Sequence, residues 1–145
     1  MDEQSELSFD IDTTDAAIAV GVEIWLDQQC LYKTDHLSAP QKITATVLDD
    51  EGSHRLTIVM FGKDPSHTKI DADGNILKDV MLTVSNFEID GIDVNQVFQD
   101  RSSYTHDFNG SQPEISDVFH GFMGCNGTVK FEFTTPMYMW LLENM

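Results

Sequence analysis

The sequence predicts an all-β fold, a two-sheet antiparallel β-sandwich. Three observations carry that prediction. Apolar residues recur with period two in one segment after another, and clusters of Gly, Asn, Asp and Pro separate those segments. No stretch of ten residues or more shows the 3.6-residue period of an amphipathic helix. With 145 residues, 41% of them hydrophobic, the chain has material for one core of ordinary size.

Residues 1–15 hold six acids (Asp2, Glu3, Glu6, Asp10, Asp12 and Asp15) and few apolar side chains. That composition predicts a loosely held arm with anchor points at Leu7, Phe9 and Ile11, ahead of a single sandwich domain at 16–145. From Ile18 the alternation is clear: Ile18, Val20, Val22, Ile24 and Leu26 share one face, and Ala19, Gly21, Glu23 and Trp25 share the other. Asp27-Gln28-Gln29 turns the chain into a short partner, Cys30 to Lys33. After Pro40, Ile43, Ala45 and Val47 alternate with Thr44 and Thr46. The cluster Asp49-Asp50-Glu51-Gly52-Ser53 is a turn with Gly available for a positive φ. Leu56, Ile58 and Met60 mark the next strand.

Residues 62–79 lack periodicity. Val80, Leu82 and Val84 resume the alternation, and Asp90-Gly91 is a strong two-residue hairpin signal. Residues 99–127 are rich in Ser, Gly, Asn and His and read as long loops. Val129, Phe131 and Phe133 form the last alternating strand, ended by Pro136. Seven or eight short strands with long late connections favour a jelly roll over an up-and-down barrel.

Charge excludes several functions. Eight Lys+Arg against 25 Asp+Glu give a net charge of −17. Direct nucleic-acid binding is disfavoured, because affinity for a phosphate backbone rests on Lys and Arg. Anionic membranes repel such a chain in the same way. No run approaches the roughly 18 apolar residues of a membrane span, and the acidic start lacks the marks of a secretory signal.

Three segments carry a resemblance: His67-Thr68-Lys69-Ile70-Asp71, Gly124-Cys125-Asn126-Gly127 and the stretch from Thr135 to Asn144. They resemble a group of small proteins of large tailed bacteriophages of the marine cyanophage type. The resemblance runs from about Ala17 to the C-terminus and implies a phage context, with synthesis in the host cytoplasm and incorporation into the virion as one fate. At the level of fold, the strand order is similar to jelly-roll modules of the carbohydrate-binding type, which does not fix function. Neither likeness carries over a catalytic residue.

Asp71, Asp73, Asn75 and Asp79 place hard oxygen ligands at alternate positions and are the candidate calcium site. The spacing lacks the closing glutamate of the twelve-residue calcium loop, and an exposed Asp-Gly turn is the preferred reading. The five histidines form no His-Glu-x-x-His pattern, and His106-Asp107 lacks a nucleophile elbow or phosphate loop to act on. No catalytic residue is assigned.

Aromatic side chains on polar faces are the better functional sign. Trp25, Tyr32 and Tyr104, with Asp107 and Asn109, are the candidate ligand-binding residues: rings stack on a sugar face while carboxylate and amide groups hold hydroxyls. Burial of Trp25 under the second sheet or the N-terminal arm, as a core or interface residue, is the preferred reading of that ring. The apolar segment Met137, Tyr138, Met139 and Trp140, read as an edge strand or closing turn, is the candidate interface for self-association or another virion protein.

These readings make the chain a non-enzymatic phage structural or attachment protein, binding virion proteins or glycans through loops and one sheet face. The alternative is an acidic intracellular inhibitor that mimics DNA toward a basic host protein.

Overall fold

In the computed structural model, residues 4–63, 69–70, 72–73, 76–78, 80–108 and 110–145 are described, with the backbone alone for 69–70 and 76–78. The strands follow the alternation closely. They are β1 (Gln4–Thr13), β2 (Gly21–Leu26), β3 (Gln29–Thr34), β4 (Gln41–Leu48), β5 (Ser53–Phe61), β6 (Lys69–Ile70), β7 (Ile76–Lys78), β8 (Leu82–Ile89) and β9 (Ile92–Asp93). Helix α1 (Asn95–Arg101) leads into β10 (Ser102–His106), β11 (Ile115–Val118), β12 (Phe122–Met123) and β13 (Gly127–Thr134), and α2 (Met137–Asn144) closes the chain.

Two antiparallel sheets face each other. One has the order β12-β8-β1-β4, with β9 paired to β8; the other is six-stranded, β11-β10-β13-β5-β2-β3. The chain passes repeatedly from sheet to sheet, as a jelly roll requires. Alternate side chains fill the space between. Val22, Ile24 and Leu26 of β2, Leu56, Ile58 and Met60 of β5, and Val129, Phe131 and Phe133 of β13 are all buried.

An aromatic stack joins the layers. Phe87 of β8 lies parallel to Phe98 of α1, with ring centroids 4.3 Å apart, and to Phe9 of β1 at 5.6 Å. Phe98 meets Phe131 of β13 edge-on at 5.2 Å, and Phe131 meets Trp140 of α2 at the same separation. The Asp90-Gly91 hairpin is as expected: φ is 52° at Asp90 and 80° at Gly91, the paired positive values of the tightest hairpin turn.

Several expectations are corrected. The acidic N-terminal segment is a strand, and an inner one: β1 pairs with β4 on one side and β8 on the other. Leu7, Phe9 and Ile11 are its buried row, while Glu6, Asp10 and Asp12 keep their carboxylates on the other face. Acids on one face of a strand cost little, so acidity did not signal a loose arm. Among the described residues the sandwich therefore starts with β1 at Gln4, ahead of residue 16.

The C-terminal apolar segment is the helix α2, not an edge strand or closing turn. Its exposure follows helical spacing: Met137 and Trp140, three apart, are buried, and Tyr138 and Met139 are exposed. Of the expected interface residues, two thus belong to the core. Residues 99–127 contain β10, β11 and β12 as well as loops. In the 49–53 turn the positive φ falls on Glu51, at 56°, and not on Gly52.

Candidate functional site

At one end of the six-stranded sheet three turns meet around a single imidazole. His54 opposes Phe133 in the β5–β13 register, so both point inward, and their rings stack with centroids 5.7 Å apart. It is the last inward position of β5, beyond Leu56, where the core gives way to the turns. Its side chain is only 13% exposed.

Each turn is held by hydrogen bonds to a neighbouring strand or turn as well as within itself. Asp27, in the turn between β2 and β3, adopts a φ of 54°; Asp tolerates that region better than most residues. Its backbone N–H donates to the Arg55 carbonyl at 2.8 Å, and its Oδ1 accepts from the Arg55 N–H at 2.9 Å. The second oxygen, Oδ2, is thereby aimed at His54 Nδ1, 2.7 Å away.

Between β4 and β5, Asp50 Oδ1 accepts from the Gly52 N–H, the Thr135 hydroxyl and His54 Nε2, each at 2.9 Å. A Cβ at 52 would stand 3.0 Å from that same oxygen, a tight contact that glycine avoids. Thr135, after β13, donates its N–H to the Gly52 carbonyl at 3.0 Å and so ties in the third turn.

Neutral imidazole has one N–H; only the imidazolium donates to both carboxylates. Burial alone would lower the His54 pKa. The hydrogen bonds and charges of Asp27 and Asp50 outweigh it, and the value lies above the ordinary 6.5. The hydrogen bond from His54, then those from Thr135 and Gly52, hold Asp50 at about 2, against an ordinary 3.8.

A pH dependence of stability follows. The His54 contribution is full below about 6.5 and is lost as pH rises through its higher folded value. The Asp50 contribution is full above 3.8 and is lost as pH falls toward 2. Stability from this clamp is therefore greatest between those limits. Melting temperatures of the native chain should decline above pH 6.5, and His54→Gln should remove that part of the decline; an unchanged profile in the variant would refute the assignment.

Beside the clamp lies a cleft of about 550 Å³. Asp27, Gln28, His54, Ser53 and Thr134 line it with polar groups, and Phe133 and Trp140 supply its apolar part. Arg55 and Glu132, opposite each other in register, complete it; Arg55 Nε donates to Glu132 Oε1 at 2.9 Å. A second hollow of about 400 Å³ shares Asp27, Gln28 and His54, so the clamp is the partition between two hollows.

The cleft continues onto the outer face of the sheet. One row further along, Trp25, Thr57, Lys130 and Ser103 are neighbours in register on that face. Chemically, this tract offers an aromatic ring followed by carboxylate, guanidinium, amide and hydroxyl groups, a set suited to holding polyhydroxylated molecules. While both His54 nitrogens donate to carboxylates, that ring has no lone pair to act as a base.

The expected ligand residues are dispersed. Trp25 is half-buried on the outer face, as its place opposite Ile24 and Leu26 implied. Tyr32 is half-buried on β3, paired with Ile24 and therefore on the inward side. Tyr104 is a core residue: its hydroxyl donates to the Cys125 carbonyl at 2.6 Å and accepts the Cys125 N–H at 2.9 Å. Burial, partly opposed by the Cys125 backbone, pushes its pKa up to about 12, so it stays a neutral brace.

Asp107 caps a turn by accepting the Gly110 N–H at 2.8 Å, four residues beyond the Trp25 row along β10. Asn109 lies outside the described residues, as do Asp71, Asn75 and Asp79 of the expected calcium set. Asp73 is an exposed turn residue. Among the described residues no three His, Cys, Asp or Glu side chains converge as a metal cage. Calcium therefore has no fitted site in the described part of the chain.

His54, Asp27 and Asp50 were not singled out from the sequence. One trace was present, the four-residue spacing of Asp50 and His54 across a turn; the approach of Asp27 depends on strand pairing between distant segments.

No protein-family model matches the chain, and no curated protein matches it in sequence. Two solved structures are similar in shape. One is the carbohydrate-binding module vCBM60 in complex with galactobiose, 13% identical, with a TM-score of 0.50 over 87% of this chain and 96% of that one. The other is the selenomethionine form of vCBM60, from work linking two families of calcium-dependent carbohydrate-binding modules by circular permutation. It is 14% identical, with a TM-score of 0.51 over 88% of this chain and 89% of that one. At these identities the likeness is one of fold, and the fold is the β-sandwich.

Proposed function

We propose that the chain is a non-catalytic glycan-binding β-sandwich that serves as a structural or attachment component of a phage particle. Saccharide binds along the outer face of the six-stranded sheet and in the adjoining cleft. The observation that carries the reading is the placement of Trp25: a half-buried indole on an open sheet face, one row from the Arg55–Glu132 pair. Indole supplies the stacking platform, and the neighbouring polar groups replace water around hydroxyls. The fold likeness to a module solved with galactobiose supports the same reading.

The inhibitor reading has less support at this site. Asp27, Asp50 and Glu132 are engaged with His54 and Arg55 rather than displayed in a row.

The test is a defined oligosaccharide panel that includes galactobiose, followed by calorimetry. Trp25→Ala should weaken binding about 30-fold, the loss of an anchor worth about 2 kcal/mol. Retained affinity would move the site elsewhere, and no binding across the panel would end the glycan reading. Mass spectrometry of purified virions tests the particle role, which fails if the chain is absent from them.

A further inference from the structure

Resting on the glycan reading, we infer that the cleft is proton-gated: His54 is a latch between two turns, and saccharide binds more tightly when both ring nitrogens carry protons. The geometry is that of a latch. Asp27 approaches one nitrogen from the β2–β3 turn and Asp50 the other from the β4–β5 turn, while Phe133 of β13 supports the ring face. Asp49 and Glu51 share the second turn with Asp50, and the remaining charges at the cleft, Arg55 and Glu132, face each other.

The two arms differ in what holds them. Asp50 Oδ1 keeps the Gly52 N–H and the Thr135 hydroxyl when His54 loses a proton. Asp27 Oδ2 has His54 as its partner, while Oδ1 and the backbone N–H are both held by Arg55. In the neutral ring one lone pair faces a carboxylate oxygen at under 3 Å, a repulsive contact. The Asp27 Oδ2 contact, which no second donor reinforces at that oxygen, is the one that gives way, and Gln28, next in the turn and lining both hollows, shifts with it. A saccharide seated against that turn loses a fixed carboxylate acceptor. The two carboxylates raise the His54 pKa above the ordinary 6.5 and so move the transition upward in pH.

Two measurements on the intact chain test this. Galactobiose and the best-bound member of the oligosaccharide panel are titrated at pH 5.5 and pH 8.5, with native protein and with His54→Gln. The native protein should bind about tenfold more tightly at pH 5.5, and the variant should show no such ratio. A native protein indifferent to pH, or a variant with the same ratio, overturns the latch.

Independently, nuclear magnetic resonance follows the His54 ring and the backbone amides of Gln28, Ser53 and Thr134 through the same pH range. Those amides should shift with the His54 titration; amides that ignore it overturn the latch even if His54→Gln does not fold. If no saccharide binds at any pH while the amides do track His54, the glycan reading fails and the proton-driven movement of the turn stands.

Discussion

Removing residues 1–13 should leave a chain that does not fold. Its residues Gln4–Thr13 are β1, the strand between β4 and β8, with hydrogen-bonded neighbours on both sides. Leu7, Phe9 and Ile11 are each at most 1% exposed. Burying three such side chains is worth roughly 5–9 kcal/mol, comparable to the whole stability of a domain, about 5–15 kcal/mol. The loss also strips β4 of its partner and opens one edge of β8. Circular dichroism and a thermal scan check the outcome: a truncated chain with a cooperative transition near that of the full one would show β1 to be dispensable.

Phe87→Ala should cost about 3–5 kcal/mol, the range for deleting a buried ring whose surroundings relax only partly. Phe87 has no exposed surface and touches rings from three other elements: Phe9, Phe98 and Phe131. The cavity would sit where both sheets and α1 meet, so no single element can move to fill it. Urea denaturation should show a lower midpoint with an unchanged slope. The exposed Phe122 provides the contrast, and its replacement by Ala should change stability by about 0.5 kcal/mol or less. Similar losses at both positions would mean that the stack is not where the core is held.

The fold was legible wherever one face of a strand is buried, because period two then appears directly in residues such as Val22, Ile24 and Leu26 or Phe131 and Phe133. β1 has the same period, Leu7, Phe9 and Ile11 against Ser8, Asp10 and Asp12, but its density of acids masks a pattern in which they occupy one face. α2 escaped because Met137 to Leu142 is apolar throughout, and a run without polar positions displays no period at all. Trp25 was legible as an outward aromatic. The His54 clamp was not, since it is built by register: Asp27 and His54, 27 residues apart, meet only once β2 lies against β5. Tyr104 and Asp107 lie three residues apart in a segment rich in ligand groups, yet one braces the core and the other caps a turn.

The central place of β1 also sets the order of events in folding. Glu6 and Asp90, which exchange hydrogen bonds across the β1–β8 edge, are separated by 84 residues. The β2–β3 hairpin needs only a two-residue turn and can form at once, whereas the middle of the opposing sheet must wait for a very long loop to close. Such closure is entropically expensive before it is rewarded, so the chain belongs among the slow folders of its size. Until β8 arrives, the apolar row Leu7, Phe9 and Ile11 stands uncovered, and the acids that alternate with it, Glu6, Asp10 and Asp12, supply the repulsion that keeps waiting chains from pairing with one another.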